Sequence, residues 1–374
     1  MSIQYYITSP YIFPYNSNGR VVYSLFHDQE FSISSSQKQL LLHCRKKQPI
    51  DIVMLNHACH DIEYLKKNHL IFVTDSLWEQ YNIKYAEIEI NSNCNYRCEY
   101  CPNYQYKKPV NVMSLDIFTY ILRELKNLGT INYLTLHAFN EPTIAPHFQE
   151  YLRIIKEMDY KLELFTNASN LNQTFIKYMK GSHILRKLKI NLPSIDKGNY
   201  IRMTGYHNFA QAIKNIHAAI DMDLPIEIIC NGTSQDFHKN YIPLVHYFEP
   251  YHIHVKQNST NDRAGILENK YAMNYYNSQM LTGCNQALTW LHFNYQGDLY
   301  LCFMDYFQKY IYANIHDGNL TELLKSPSFQ SMRKQIFGME ETGPDFLCRK
   351  CWNNILSRQI YTKRDMFCPD LTTL

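Results

Sequence analysis

No stretch of the chain approaches the roughly 20 consecutive apolar residues needed to span a bilayer, so a membrane-spanning helix is excluded. The opening residues, MSIQYYITSPYIFPYNSNGR, lack the basic-then-apolar layout of a secretory signal. A cytoplasmic location is the expectation. An excess of one charge is also missing. The 37 Lys and Arg nearly balance the 34 Asp and Glu, and a net +3 over 374 residues gives no case for a general nucleic-acid or membrane binder. Glycine is scarce at 12 residues against 31 tyrosines, which reads as a coding-composition bias rather than a mechanism. Low-complexity linkers and internal repeats are absent. With 45% hydrophobic and 19% charged residues the chain is not expected to be disordered, and its length allows two or three domains.

What the chain does have is cysteine, eleven in all. In a reducing compartment these are not a disulfide framework, and clustered thiols point to metal. Four of them, Cys44, Cys59, Cys230 and Cys368, stand apart from any cluster and read as buried structural thiols.

Three regions differ in pattern. Residues 1–84 read as a small α/β unit. Val21–Phe26 and Phe31–Ile33 are expected strands, followed by a helix holding Leu40–Leu42, helical segments near Ile50–His57 and Asp61–Asn68, and a strand at Leu70–Val73. That order suits a winged helix. From 85 to 262, apolar strands alternate with amphipathic helices, which implies parallel β/α units. The expected strands are Ala86–Ile90, Tyr133–Leu136, Leu162–Phe165, Leu188–Asn191, Ile226–Ile229 and His252–Val255. Helices are expected at Leu115–Leu128, Phe148–Met158 and Phe209–Met222. Six units suggest an α/β fold built on a partial (β/α)6 TIM barrel, open on one side. From 263 to 374 the spacing is irregular and cysteines dominate.

The central motif is Cys94-Asn-Tyr-Arg-Cys98-Glu-Tyr-Cys101, directly after the first barrel strand. Three thiolates on one loop can bind three irons of a [4Fe–4S] cube and leave the fourth iron open. Zinc would want a fourth close Cys or His. This motif resembles the radical S-adenosylmethionine (radical SAM) superfamily. The resemblance implies that the amino and carboxylate groups of SAM chelate the open iron, and that reductive cleavage releases a 5′-deoxyadenosyl radical. It also implies that Tyr100 lies by the adenine. After the second strand, Asn140-Glu141-Pro142 stands where the family carries a Gly-Gly-Glu-Pro-like element that holds the SAM ammonium. Thr166-Asn167-Ala168 stands where the family has Thr-Asn-Gly, and Ser194 ends the fourth strand, where a polar SAM contact is expected. All these positions fall at C-terminal strand ends, where β/α barrels gather ligands.

A second set, Cys284, Cys302, Cys348 and Cys351, includes a hairpin with its turn at Gln296-Gly297-Asp298. The turn is expected to carry Cys302 back beside Cys284, with the close pair Cys348/Cys351 completing four thiolates. This resembles the SPASM/twitch extension of radical SAM enzymes and implies one auxiliary [4Fe–4S] cluster; a zinc ribbon is the alternative. Cys230 ends the fifth strand and is a candidate hydrogen-atom donor. Arg263, in Arg263-Ala264-Gly265, is a candidate contact to substrate or SAM.

Residues 18–75 resemble the PqqD-like RiPP recognition element, which binds a leader peptide by adding it as a strand to a sheet edge. The resemblances together imply a radical SAM peptide maturase acting on a ribosomal precursor peptide, with an external electron donor such as flavodoxin or ferredoxin. The product would be a crosslink, an epimer or an oxidised residue. Two alternatives differ in class: a radical SAM dehydrogenase of a small molecule such as an aminosugar, and a non-enzymatic Fe–S regulator that binds DNA.

Overall fold

The computed structural model describes residues 6–8, 12–14, 20–27, 29–45, 52–73, 77–232, 236–267, 281 and 283–351. Cys368 lies outside the described residues. The chain divides into two compact units, one of residues 1–83, 276–289 and 321–374, the other of residues 84–275 and 290–320.

In the first unit, β1 (Tyr6–Thr8) and β2 (Ile12–Pro14) are strands that the sequence reading leaves unassigned. β3 (Val21–Ser24) and β4 (Gln29–Ser32) form the expected hairpin, with β2 on the other side of β3. Helix α1 (Ser35–Arg45) follows. The two helical segments expected near residues 50–68 appear as α2 (Ile52–Lys67), broken at Ala58, whose φ of −117° and ψ of 17° are not helical. β5 (Ile71–Val73) pairs with β1. Val22, Phe31, Ile33, Leu40, Leu41, Cys44, Ile62, Leu65, Leu70 and Ile71 share one apolar core. Cys44 is fully buried there, whereas Cys59 is exposed, against the expectation of a buried thiol.

The second unit is built on one nine-stranded sheet. Its parallel part runs β6 (Tyr85–Ile88), β7 (Tyr133–Thr135), β8 (Leu162–Thr166), β9 (Leu185–Asn191), β10 (Ile226–Gly232) and β11 (His254–Ser259). The helices between are α3 (Leu115–Leu128), α4 (Phe148–Glu157), α5 (Gln173–Ser182), α6 (Lys197–Thr204), α7 (Phe209–Asp221) and α8 (Ile242–Phe248). Helix α3 shows why these boundaries are legible. Ser114 caps its start by accepting from the Ile117 amide at 3.1 Å, and Gly129 ends it in the left-handed region. Phe118, Ile121, Leu122 and Leu125, at helical spacing, are buried. The last parallel strand starts two residues later than expected. Pro250 lies in a single helical turn, Glu249–Tyr251, and His252 closes it at a left-handed φ of 54°.

The sheet does not stop at β6. β12 (Trp290–Phe293) pairs parallel to β6 on its other edge, and β13 (Asp298–Tyr300) and β14 (Ile311–Asn314) continue antiparallel. The turn between β12 and β13 is set by Asn294, whose Oδ1 accepts from the amides of Gln296 and Asp298, and by Gly297 at a φ of 83°.

Strand alternation sorts the two faces of this sheet. Ala86, Ile88, Leu134, Leu162, Leu164, Leu188, Ile190 and Ile228 are fully buried on one. The other carries buried carboxylates, each with a partner. Glu87 meets His292 at 3.1 Å, Glu163 meets Lys189 and Arg186 at 2.5 and 2.7 Å, and Glu227 meets Lys187 at 3.4 Å.

Candidate functional site

The Cys94–Cys101 loop leaves the C-terminal end of β6 and is tied down along its length. Asn91 bridges to Val112. The amides of Arg97 and Glu99 donate to Thr204 and Met203 at the end of α6, both at 2.9 Å. Gly205, at φ 66°, lets that end approach; a Cβ there would stand 3.3 Å from the Arg97 Cβ. Tyr96 is the loop's anchor. Its ring stacks on Tyr206 at 4.5 Å, and its hydroxyl bonds Tyr200 and the Asn167 carbonyl.

Burial pushes all three thiols up: Cys94 to about 12, Cys98 well above the ordinary value, and Cys101 above it as well. Cys98 is further raised by Cys101 and Cys94, so the three groups sense one another. Among the described residues no three His, Cys, Asp or Glu side chains are already drawn into a metal-binding group. What fits a cluster is the donor set: three thiols on one loop, where burial opposes ionisation and a bound cation would favour it. Cys94, Cys98 and Cys101 are therefore the residues that would hold iron here. When bound, such a cluster supplies one-electron reduction of a ligand at its open iron.

Behind this loop, Glu141 ties two strand ends together. Its Oε1 accepts from the Thr143 amide (3.1 Å), Thr143 Oγ1 (2.6 Å) and Thr166 Oγ1 (2.7 Å), and its Oε2 accepts from the Asn167 amide (2.6 Å). Three of these donors converge on Oε1 and one reaches Oε2, so Oε2 keeps acceptor capacity for a further donor such as an ammonium. Burial nonetheless raises the Glu141 pKa. Pro142 opens a buried single turn after it, where its missing N–H costs nothing. Asn140 donates to Asn91 Oδ1 (2.8 Å) and to the Leu136 carbonyl, and accepts from the Ala138 amide. Asn167 donates to Asn95 Oδ1 at 2.9 Å and lies 4.0 Å from Cys94 Sγ. Sequence reading left out Asn91, Asn95 and Tyr96. The asparagine-rich run Asn91-Ser-Asn93-Cys94-Asn95 is the signal that could have found two of them.

Tyr100 is buried and shares two hydrogen bonds with Asn191, at 3.1 and 3.2 Å. Asn231 donates to Asn191 at 2.7 Å, and Asn258 donates to Asn231 at 2.6 Å. An amide ladder thus crosses the C-terminal ends of β9, β10 and β11 and ends on Tyr100. Its three asparagines were also left out, because their alignment depends on strand register rather than spacing. Ser194 is buried, and its Oγ accepts from the Asp196 amide at 3.1 Å. Cys230 is one residue out of phase with the ladder. It shares the face of Ile228, donates to the Pro193 carbonyl at 3.5 Å and is pushed up to about 12 by burial.

Arg263 follows β11 in a run of three left-handed residues, with φ values of 53°, 57° and 82° for Arg263, Ala264 and Gly265. Each non-glycine residue so held costs about 1–2 kcal/mol. The Asn261 side chain holds the turn by accepting the Arg263 amide at 2.9 Å. Burial lowers the Arg263 pKa, against the charges of Cys101 and Tyr100 that favour its cation.

Of the second set, Cys302 follows β13 in the sheet unit. Cys284, Cys348 and Cys351 belong to the other unit, where Cys284 is pushed up to about 12 by burial and then by Cys351. Gly283, at φ 93° just before Cys284, lies against Phe337, whose ring a Cβ on Gly283 would meet at 2.0 Å. Helix α9 (Gln286–Thr289) follows it. After α10 (Leu320–Lys325) comes α11 (Pro327–Ile336), where buried Arg333 donates to the carbonyls of Trp78, Gln80 and Leu324.

Residues 88–235 match the family described as the radical SAM superfamily, and residues 284–352 match SPASM, an iron–sulfur cluster-binding domain. The chain is 30% identical over 95 residues to the tungsten-containing aldehyde ferredoxin oxidoreductase cofactor-modifying protein of Pyrococcus furiosus, which covers 25% of this chain and 27% of that one. It is 23% identical over 272 residues to the S-adenosyl-L-methionine-dependent 2-deoxy-scyllo-inosamine dehydrogenase of Niallia circulans, covering 72% and 92%. The fold resembles Streptococcus suis SuiB bound to precursor peptide SuiA, with TM-score 0.60, 13% identity, and 88% and 90% of the two chains covered. It also resembles BtrN in complex with AdoMet and 2-DOIA, with TM-score 0.50, 19% identity, and 73% and 94% covered. Among the described residues no helix is long and apolar enough to cross a membrane. The two matched segments account for both groups of cysteines, and the chain is an enzyme of the radical SAM superfamily with a SPASM domain, using SAM, a [4Fe–4S] cluster and auxiliary iron–sulfur.

Proposed function

We propose that this enzyme is a peptide maturase that modifies a ribosomally made precursor by 5′-deoxyadenosyl-radical hydrogen abstraction. Residues 1–84 act as a PqqD-like, winged-helix-like recognition domain, 85–262 as a partial (β/α)6 barrel, and 263–374 as the SPASM/twitch domain. Cys94, Cys98 and Cys101 hold the catalytic cluster; Cys284, Cys302, Cys348 and Cys351 hold the auxiliary one. Tyr100, Asn140, Glu141, Pro142, Thr166, Asn167 and Ser194 form the SAM site, with Arg263 beside it. The protein works in the cytoplasm.

One observation carries the peptide reading. Residues 1–84 are over a fifth of the chain, and the likeness to SuiB, at 88%, reaches into them, whereas that to BtrN stops at 73%. The same region holds a three-stranded sheet in which β4 pairs only with β3 among the described residues. An extended leader peptide has a sheet edge there to join. The second reading, dehydrogenation of a small molecule, is favoured by the likeness to the Niallia circulans dehydrogenase over 92% of its length. Since the chain is an enzyme, the regulator reading falls away.

The test is anaerobic reconstitution, then incubation with SAM, reductant and short peptides encoded beside this gene. A peptide mass lower by about two hydrogens, or a deuterium-marked epimer, supports the proposal. Unmodified peptides together with oxidation of an aminosugar would replace it with the second reading.

A further inference from the structure

Of the seven exposed large hydrophobic side chains among the described residues, Tyr251 and Met339 stand apart and the other five fall in two stretches. Tyr104 (60% exposed), Tyr106 (41%) and Val110 (66%) lie in one stretch, and Phe307 (48%) and Ile311 (50%) in another. The two stretches meet. Tyr106 and Phe307 pack edge to face at 5.1 Å, and both rings touch Tyr306, at 6.1 and 5.1 Å. Tyr306 is buried between them, and its hydroxyl donates to Asn103 Oδ1 (2.9 Å) and the Tyr106 carbonyl (3.2 Å). It senses the charges of Cys101 and Arg97. The patch therefore rests on the side chain that backs the cysteine loop, and it begins one turn after Cys101.

Its charge has one sign. Lys107 and Lys309 are exposed, and neither pairs with a carboxylate among the described residues; Lys309 lies 5.4 Å from the Phe307 ring centre. Arg97 is exposed on the loop itself. The acidic groups nearby are withdrawn: Asp305 is buried and accepts from the amides of Lys309 and Tyr310, and Glu89 is buried against Lys108 and Gln308. Clustered exposed aromatics mark interaction surfaces on soluble proteins, and a cationic rim selects an anionic partner and speeds its arrival.

We propose that Tyr104, Tyr106 and Phe307, with Lys107 and Lys309, form the landing surface for a small acidic one-electron carrier protein. The inference rests on the proposed cluster at Cys94, Cys98 and Cys101 and names its electron source. One electron leaves the reduced carrier and enters the cluster. The carrier is oxidised by one electron, the cluster is reduced by one, and no bond is made or broken in that transfer. Electron-transfer encounters of this kind use small, weak interfaces, which suits a patch of this few side chains.

The probe is a reduced flavodoxin, with dithionite as a small-molecule control. Cluster reduction in reconstituted protein is followed by absorbance, and carrier binding to the protein by fluorescence anisotropy. The variants are Lys107→Glu/Lys309→Glu and Tyr106→Ser/Phe307→Ser. At low salt both are expected to slow reduction by flavodoxin about tenfold or more and to weaken its binding. At high salt, where the Debye length is a few ångströms, the charge variant should approach the parent. Reduction by dithionite should stay unchanged in both. If both variants accept electrons from flavodoxin at the parent rate, the proposal is overturned. It is overturned too if the patch holds a second copy of the chain, so that the variants turn a dimer into a monomer while flavodoxin still reduces them normally. A parent protein with no cluster to reduce would instead remove the reading on which the proposal rests.

Discussion

The two groups of cysteines are organised differently. Cys94, Cys98 and Cys101 lie in one loop of one compact unit, braced by Tyr96, by the end of α6 and by the Glu141 cluster of hydrogen bonds. Cys284, Cys302, Cys348 and Cys351 are drawn from three stretches of chain that fall in both units. A local group can be read from spacing and depends on its own loop. A dispersed group depends on everything that positions its segments. The first should be robust in position and essential in chemistry, the second sensitive to folding and separable from SAM cleavage.

The largest effect that can break this contrast comes from removing thiols. Cys98→Ala is expected to abolish reductive SAM cleavage and to lower bound iron from about eight to about four per chain, as two cubes require. Cys348→Ala/Cys351→Ala is expected to lose the same amount of iron yet still release 5′-deoxyadenosine, measured by chromatography. If the second variant also loses SAM cleavage, the two sites are not separable.

Glu141 gives the next effect. Glu141→Ala leaves four buried or half-buried donors without their acceptor and should lower stability by about 3 kcal/mol or more in urea unfolding of the apo-protein. Its raised pKa fixes a sign. The folded state holds this proton more tightly than the unfolded chain, so the Glu141 contribution is present below the ordinary carboxylate range. It is lost as pH climbs through the raised value. The Glu141→Gln variant should lack that slope while costing less than the alanine.

The sheet's two faces sharpen the contrast at lower cost. Cys230 lies with Ile228 on the apolar face, whereas Asn231 joins the ladder on the other. Cys230→Ala is therefore expected to keep turnover near the parent level, at about 1 kcal/mol of stability. Asn231→Leu, which cuts the ladder between Asn191 and Asn258, should raise the KM for SAM or peptide with a smaller change in kcat. A Cys230→Ala protein that binds SAM but makes no product would restore the thiol as hydrogen donor.

Legibility follows the same division. The strands of the parallel sheet and helices α3, α4 and α7 were readable because alternation, caps and terminal glycines are local signals, as at Ser114 and Gly129, whereas α5, α6 and α8 were not assigned from sequence. The cysteine loop was readable from spacing. The ladder of Asn191, Asn231 and Asn258 was not, since a one-residue slip of register would scatter it. Nor was the pairing of β12 with β6, which joins residues 290–293 to residues 85–88 across two hundred positions. Hairpin signals announce their own turn but not the edge on which they land.

The smallest effect concerns two residues on the left-handed side of the backbone that flank the cysteine loop. Gly205 and Ala168 share this conformation, at φ 66° and 61°. Gly205 stands where an added Cβ would press on Arg97, at 3.3 Å from its Cβ and 3.4 Å from its carbonyl oxygen. Gly205→Ala should therefore cost about 1–2 kcal/mol from the backbone alone, plus whatever the loop loses by moving. Ala168 already bears that strain, held by Asn215 donating to its carbonyl at 2.7 Å and by its own amide donating to Thr166 Oγ1 at 3.0 Å. Ala168→Gly relieves the strain but loses a buried methyl and frees the unfolded chain, so its net change should stay within about 1 kcal/mol of zero. Paired urea titrations of the apo-protein separate the two. Equal losses at both positions would mean that packing against the methyl, rather than backbone strain, decides the energy at Ala168.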